Sequence, residues 1–203
     1  MWPSQGRVEF EGVTTAYNSG TVAVRDFSLT IRPGQKVTIC GRTGNGKSSL
    51  LLTLLRLLDL QSDTIRLDGV DITQIPRDFL RQRCFVTVSQ DGLLMSNETI
   101  FNLCRGVLKA EALRARGGRP VVLLDEVTSA FDAAAEVAVH RVVESEFSAT
   151  GHTVVVVSHR LGHLAECARL ASDVVVRMRD GMLEGVWSDV RGLVVNGDEE
   201  LRR

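Results

Sequence analysis

At 203 residues, with 44% hydrophobic and 24% charged side chains, the chain has the composition of one globular domain, or of one domain with a small subdomain. A formal net charge of −1 argues against a polybasic membrane surface and leaves no electrostatic footprint for nucleic acid. Four cysteines, Cys40, Cys84, Cys104 and Cys167, contain no C-x-x-C pair and read as free thiols without a disulfide partner. The start, MWPSQGRVEF, carries no apolar h-region. The longest apolar stretch, 50–60, is broken by Thr53, Arg56 and Asp59, so neither a signal peptide nor a membrane span is expected.

Residues 8–13 alternate apolar and polar, as a half-exposed strand does. Residues 27–31 repeat the pattern before a turn at Pro33 and Gly34, and 65–67 form a third short strand closed by Asp68 and Gly69. Together they predict an antiparallel sheet in the N-terminal third, covering 1–35 and 62–72. Residues 36–40 (KVTIC) read as a buried strand that runs straight into GRTGNGKS, residues 41–48. A helical run over 48–58 follows, apolar nearly all round and therefore expected to be buried.

The octapeptide fits G-x-x-x-x-G-K-[ST], the phosphate-binding loop of P-loop NTPases, and strand, glycine-rich loop and helix stand in the order that loop requires. Glycines let backbone N–H groups turn inward onto phosphate oxygens, and the helix N-terminus adds its positive dipole end. The candidate phosphate-binding residues are Gly41, Arg42, Thr43, Gly44, Asn45, Gly46, Lys47 and Ser48, with Ser49 next on the helix. Lys47 can reach the outer phosphates, and the Ser48 hydroxyl can ligate Mg²⁺.

Further along, 84–88, 121–124, 153–157 and 173–176 are short apolar, mostly β-branched runs separated by helical or loop-length segments. That pattern predicts a parallel sheet covered on both faces, hence an α/β fold. The run VVLLDE (121–126) ends in two acids. Asp125 is placed to hold Mg²⁺, and Glu126 to polarise an attacking water. TVVVVSH (153–159) ends in His159 and FVTVSQ (85–90) ends in Gln90. Both should sit at the crevice beyond the carboxyl ends of the strands. A helix is expected over 133–147 with Asp132 as N-cap and Gly151 beyond its end. A hairpin over 177–186 should turn at Asp180 and Gly181.

These residues in this order resemble the nucleotide-binding domain of an ATP-binding cassette (ABC) transporter. Residues 41–48 resemble its Walker A loop, 121–126 its Walker B strand and Gln90 its Q-loop glutamine. SAFD (129–132) resembles the D-loop and His159 the switch histidine. Tyr17, the only tyrosine, falls where the family has the aromatic that stacks on adenine. The resemblance runs from 2 to 186. WPSQGRVEFEGV and LDGVDITQIPRDFLRQRCFVTVSQD resemble the second nucleotide-binding domain of the C-subfamily, the multidrug-resistance-associated type. It implies a RecA-like parallel sheet flanked by helices, an N-terminal antiparallel β subdomain, a domain over 1–186 and a tail over 187–203.

The resemblance further implies ATP and Mg²⁺ as ligands, with Ser48, Gln90 and Asp125 at the metal and Glu126, His159 and Gln90 in catalysis. It implies a second nucleotide-binding domain facing this one head to tail, and transmembrane domains as partners. ATP hydrolysis would then power substrate translocation at the cytoplasmic face of a membrane, with partner segments supplying the membrane span.

The family signature LSGGQ is absent, and only 35 positions separate Gln90 from Asp125. Residues 96–103 resemble the start of the family's helical subdomain and 104–120 the end of the helix after the signature. This gives a truncated helical region over 96–118 joined near Leu103 and Cys104, with apolar surface expected to be exposed around Phe101 and Leu103. Gly117 and Gly118 read as a helix-terminating turn. Two alternatives stay open on the sequence: an ATP-binding module without appreciable turnover, and a truncated gene product. A GTPase fits worse, since no [NT]KxD guanine motif is present, and a nucleotide kinase would need an arginine-rich lid.

Overall fold

The computed structural model describes residues 2–89, 96–127, 132–158 and 173–188. Strand β1 (Val8–Ala16) pairs antiparallel with β2 (Val22–Ile31). Strand β3 (Lys36–Cys40) leads through the glycine-rich loop into helix α1 (Lys47–Leu54), as the apolar run and the glycines predict. The helix is shorter than its apolar pattern. Arg56 takes a left-handed conformation (φ 52°), and the Arg56 and Leu57 N–H groups donate to the Thr53 and Leu52 carbonyls, which closes the helix. The Arg56 guanidinium donates to the Ile72 and Ile75 carbonyls, which helps hold a conformation glycine would usually take.

Strands β4 (Leu60–Leu67) and β5 (Val70–Asp71) complete a four-stranded antiparallel sheet in the order β2-β1-β4-β5. Its inward positions, Val8, Phe10, Val13, Phe27, Ile31, Ile65 and Leu67, are all buried. Phe10 meets Phe27 edge to face at 5.4 Å.

A short helix α2 (Arg77–Phe79) widens into a π-type turn over Leu80–Cys84 and enters β6 (Phe85–Ser89). After helix α3 (Ser96–Ala115) come β7 (Val121–Asp125), α4 (Ala133–Val143), β8 (Val154–Ser158), β9 (Val174–Arg179) and β10 (Met182–Trp187). Asp132 caps α4, its carboxylate accepting from the Ala135 N–H at 2.8 Å. The second sheet runs β10-β9-β3-β8-β7-β6, parallel except for β10, which returns through positive φ at Asp180 and Gly181.

Alternate residues of β7 serve two cores. Val121 and Leu123 pack toward the antiparallel sheet and α1, whereas Val122 and Leu124 pack toward α3 and α4. A sheet covered on both faces explains why these strands are continuously apolar. Strand β3 lies between β8 and β9, so the loop after it opens at the carboxyl ends of the parallel strands.

Helix α3 runs without interruption through Leu103 and Cys104. Leu103, Gly106, Ala110 and Leu113 form its buried stripe, with Val107 packed alongside. Leu103 is therefore covered, contrary to the exposure expected from the missing middle of the region. Gly106 makes the close approach possible, because a Cβ there would stand 2.9 Å from Val88 Cγ2. At the end of α3, Gly117 adopts φ 79° and the Gly117 and Gly118 N–H groups donate to the Arg114 and Leu113 carbonyls, the glycine stop expected from the sequence.

Candidate nucleotide site

The loop between β3 and α1 is shaped by what its glycines permit. A Cβ on Gly46 (φ 86°) would stand 2.2 Å from the Ala23 carbonyl oxygen, and one on Gly41 would stand 2.4 Å from the Met178 carbonyl oxygen. Gly44 (φ 88°) meets nothing within 4 Å, so the loop is pinned at its ends and open at its middle. Asn45 adds a tether, donating from Nδ2 to the Met178 carbonyl at 2.9 Å. Arg42, Thr43 and Gly44 are exposed.

Lys47 is the first residue of α1 and is 4% exposed. Its ammonium donates to the Gly41 and Arg42 carbonyls at 2.9 and 3.0 Å, so the lysine folds back along the inside of its own loop. Burial pulls its pKa below the ordinary lysine value, an effect opposed by the charges of Glu126 and Asp125. The Cys40 thiol beneath the loop is buried, which pushes its pKa up to about 12 and keeps it a neutral packing group.

Ser48 donates from its hydroxyl to Asp125 Oδ1 at 3.1 Å. The two residues lie 77 positions apart and meet because β7 places Asp125 at its carboxyl end, beside the start of α1. A hydroxyl oxygen and one carboxylate, both half-buried, suit Mg²⁺, which favours oxygen donors and completes its shell with waters and phosphate oxygens. Glu126 follows in a left-handed conformation (φ 48°), and its N–H donates to the Val157 carbonyl of β8 at 3.1 Å. The turn places the second acid at the rim of the same crevice. Tyr17, just after β1, is 43% exposed, and its hydroxyl lies 2.8 Å from the Ser49 hydroxyl on α1.

The structure thus brings together Tyr17, the loop 41–48, Ser49, Asp125 and Glu126. Gln90, His159 and residues 129–131 of SAFD lie outside the described residues. The sequence placed Tyr17 and Ser49 at one site without giving any sign that they touch. It also gave no sign of the Met178 and Val157 carbonyls that tether the loop and the acid strand, or of the Ala23 carbonyl that crowds Gly46, because backbone groups leave no residue signature.

A family model described as ABC transporter matches residues 24–159. The chain belongs to the ABC transporter family. It is a nucleotide-binding domain of that family, homologous to fungal ABC multidrug transporters. ABC multidrug transporter B of Aspergillus fumigatus is 34% identical over 201 residues, a match covering 79% of this chain and 14% of that protein. ABC-type transporter FG02316 of Gibberella zeae is 32% identical over 228 residues, covering 92% of this chain and 15% of that protein. The chain therefore spans a small part of the length of these relatives. Among solved structures, a bacterial Atm1-family ABC exporter with ATP bound superposes with a TM-score of 0.75. That match covers 97% of this ABC domain and 41% of the exporter chain, and at 21% identity it speaks to the fold. No helix among the described residues is long and apolar enough to cross a membrane.

Proposed function

We propose that this ABC domain binds ATP with Mg²⁺ and hydrolyses it together with a second nucleotide-binding domain, powering translocation through transmembrane domains at the cytoplasmic face of a membrane. What supports it best is the meeting of Ser48 with Asp125 beside an open glycine loop whose buried lysine donates to two of the loop's own carbonyls. In this reading the loop N–H groups from Gly41 to Ser48 cradle the phosphates, and Lys47 turns from its carbonyls to the outer ones. Ser48, Asp125 and Gln90 hold the metal. Mg²⁺, when bound, supplies the positive charge that offsets charge developing on the phosphates. Glu126 accepts the proton of the attacking water, Gln90 and His159 orient that water and the terminal phosphate, and Tyr17 offers its ring to adenine.

The need for a partner follows from the missing LSGGQ: no helix N-terminus with that Ser and Gly pair is at hand to close over the phosphate. The reduced helical region is supported by the single helix α3 spanning 96–115, and by the alignment to the Gibberella zeae relative, which runs over more positions than the chain has residues. Assignment to the second domain of the C-subfamily rests on the entry sequence and the stretch leading to Gln90. The 1–186 unit and the 187–203 tail are proposed on the span of the motifs.

The test is turnover of the chain alone and mixed with a separately purified ABC domain that carries an intact signature. The expected result is an ATP-induced rise in melting temperature, little hydrolysis alone, and hydrolysis in the mixture that Glu126→Gln abolishes. Brisk Glu126-dependent hydrolysis by the chain alone would remove the need for a partner. Absence of any ATP-induced thermal shift would remove the nucleotide site itself.

A further inference from the structure

We infer that Ser49 is a positioning residue, whose hydroxyl fixes the ring of Tyr17 as the aromatic wall of the nucleotide site. The inference rests on the proposed role of Tyr17 toward adenine. Ser49 is 6% exposed on the first turn of α1, one residue beyond the Ser48 that faces Asp125. Its backbone carbonyl accepts from Thr53 Oγ1 at 2.7 Å, which helps anchor this turn to the next. Tyr17 is the opposite kind of group. It sits in a turn after β1, 43% exposed, tied to the turn through the Tyr17 N–H to Thr21 carbonyl and Gly20 N–H to Tyr17 carbonyl bonds.

A half-exposed aromatic on a surface turn would otherwise sample several χ1 wells. The 2.8 Å hydroxyl–hydroxyl bond joins the far tip of the ring to the phosphate-loop helix, so ring and loop hold one distance from each other. A flat apolar face held at fixed separation from a phosphate cradle suits a purine base linked to a triphosphate. Pre-setting that face lowers the ordering cost of binding, and it does so only for ligands that carry a base.

The test compares the dissociation constants of ATP and of inorganic tripolyphosphate, both with Mg²⁺, for the wild type, Ser49→Ala, Ser49→Thr, Tyr17→Phe, Tyr17→Ala and the Ser49→Ala/Tyr17→Phe pair. Loss of one neutral hydrogen bond predicts ATP binding weakened about 2- to 10-fold in Ser49→Ala and in Tyr17→Phe. The pair should be no weaker than either single variant, tripolyphosphate binding should be unchanged, and Ser49→Thr should restore the wild-type value. Because Tyr17 is the only tyrosine, a specifically labelled tyrosine ring reports this contact alone in NMR, and its resonance should move in Ser49→Ala.

Equal weakening of ATP and tripolyphosphate in Ser49→Ala would overturn the inference, since Ser49 would then act on phosphate directly. Additive losses in the pair would overturn it as well. Tyr17→Ala binding ATP as tightly as the wild type would instead remove the adenine role of Tyr17, the reading on which the inference rests.

Discussion

At the carboxyl ends of β3, β7 and β8, Lys47, Ser48, Asp125 and Glu126 converge beside an open glycine loop. Near the opposite end of the same sheet, Lys36 meets Glu144 and Asp173 while His152 lies buried behind Thr150. Each end draws a lysine largely out of solvent, yet the partners differ. Lys36 contacts two carboxylates, each at 2.8 Å, and those interactions raise its pKa even though burial alone would lower it. Lys47 donates instead to two neutral carbonyls. The amino end pairs its lysine with carboxylates, whereas the carboxyl end holds its lysine against carbonyls, the arrangement the proposed nucleotide site would use.

This contrast predicts separable effects. Lys36→Ala leaves two carboxylates without their cation. Breaking a buried pair costs about 3–5 kcal/mol, and because Glu144 keeps some contact with solvent the expected loss in urea unfolding is about 3 kcal/mol, at the low end. ATP affinity of the folded fraction should not change. A parallel loss of affinity would show that the two ends are coupled.

Gly44→Ala should act the other way round. Its Cβ meets no atom, so the cost is the left-handed strain of a non-glycine residue, about 1–2 kcal/mol. ATP affinity should fall by more than that, because the methyl group enters the open middle of the loop. Unchanged ATP affinity would mean that phosphate does not lie there.

The smallest effect is at His152. Burial holds its pKa below the ordinary 6.5, helped by the charges of Arg114 and Arg119 and opposed by a hydrogen bond with the Phe147 backbone. The folded chain then takes up fewer protons than the unfolded chain as the pH falls through about 6.5. Stability is thus full above that pH and declines below it, down to the lowered folded pKa. Urea midpoints measured from pH 7.5 to pH 5.5 should fall, and His152→Gln should flatten the dependence. A dependence that survives the substitution would place the titration elsewhere.

The sequence read the two ends unequally, for physical reasons. The loop was legible because glycine, lysine and serine are each demanded by backbone shape or ligand chemistry at fixed spacing. The bounds of β3 matched because an apolar run abuts the first glycine. The parallel sheet was legible from β-branched runs buried on both faces. The amino-end cluster was not, because Lys36, Glu144 and Asp173 are distant in sequence and each alone looks like a solvated surface charge. Helix α1 ended early because the Ile72 and Ile75 carbonyls, far along the chain, hold Arg56 in its left-handed turn. In helix α3, resemblance alone divides the segment at Leu103 and Cys104, whereas the helix is continuous. Hydrophobic spacing alone, from Leu103 through Gly106 and Ala110 to Leu113, runs across that point without a break.

On the proposed reading, the chain builds a working half of a nucleotide site around Lys47. Calorimetric titration of the purified chain with ATP and Mg²⁺, run beside Lys47→Ala, isolates that half. The expected result is saturable one-to-one binding by the wild type, and in the variant a loss of about 10-fold or more, the worth of a charged hydrogen bond, with unchanged circular dichroism. Equal binding by the two proteins, or no binding by the well-folded wild type, would contradict it.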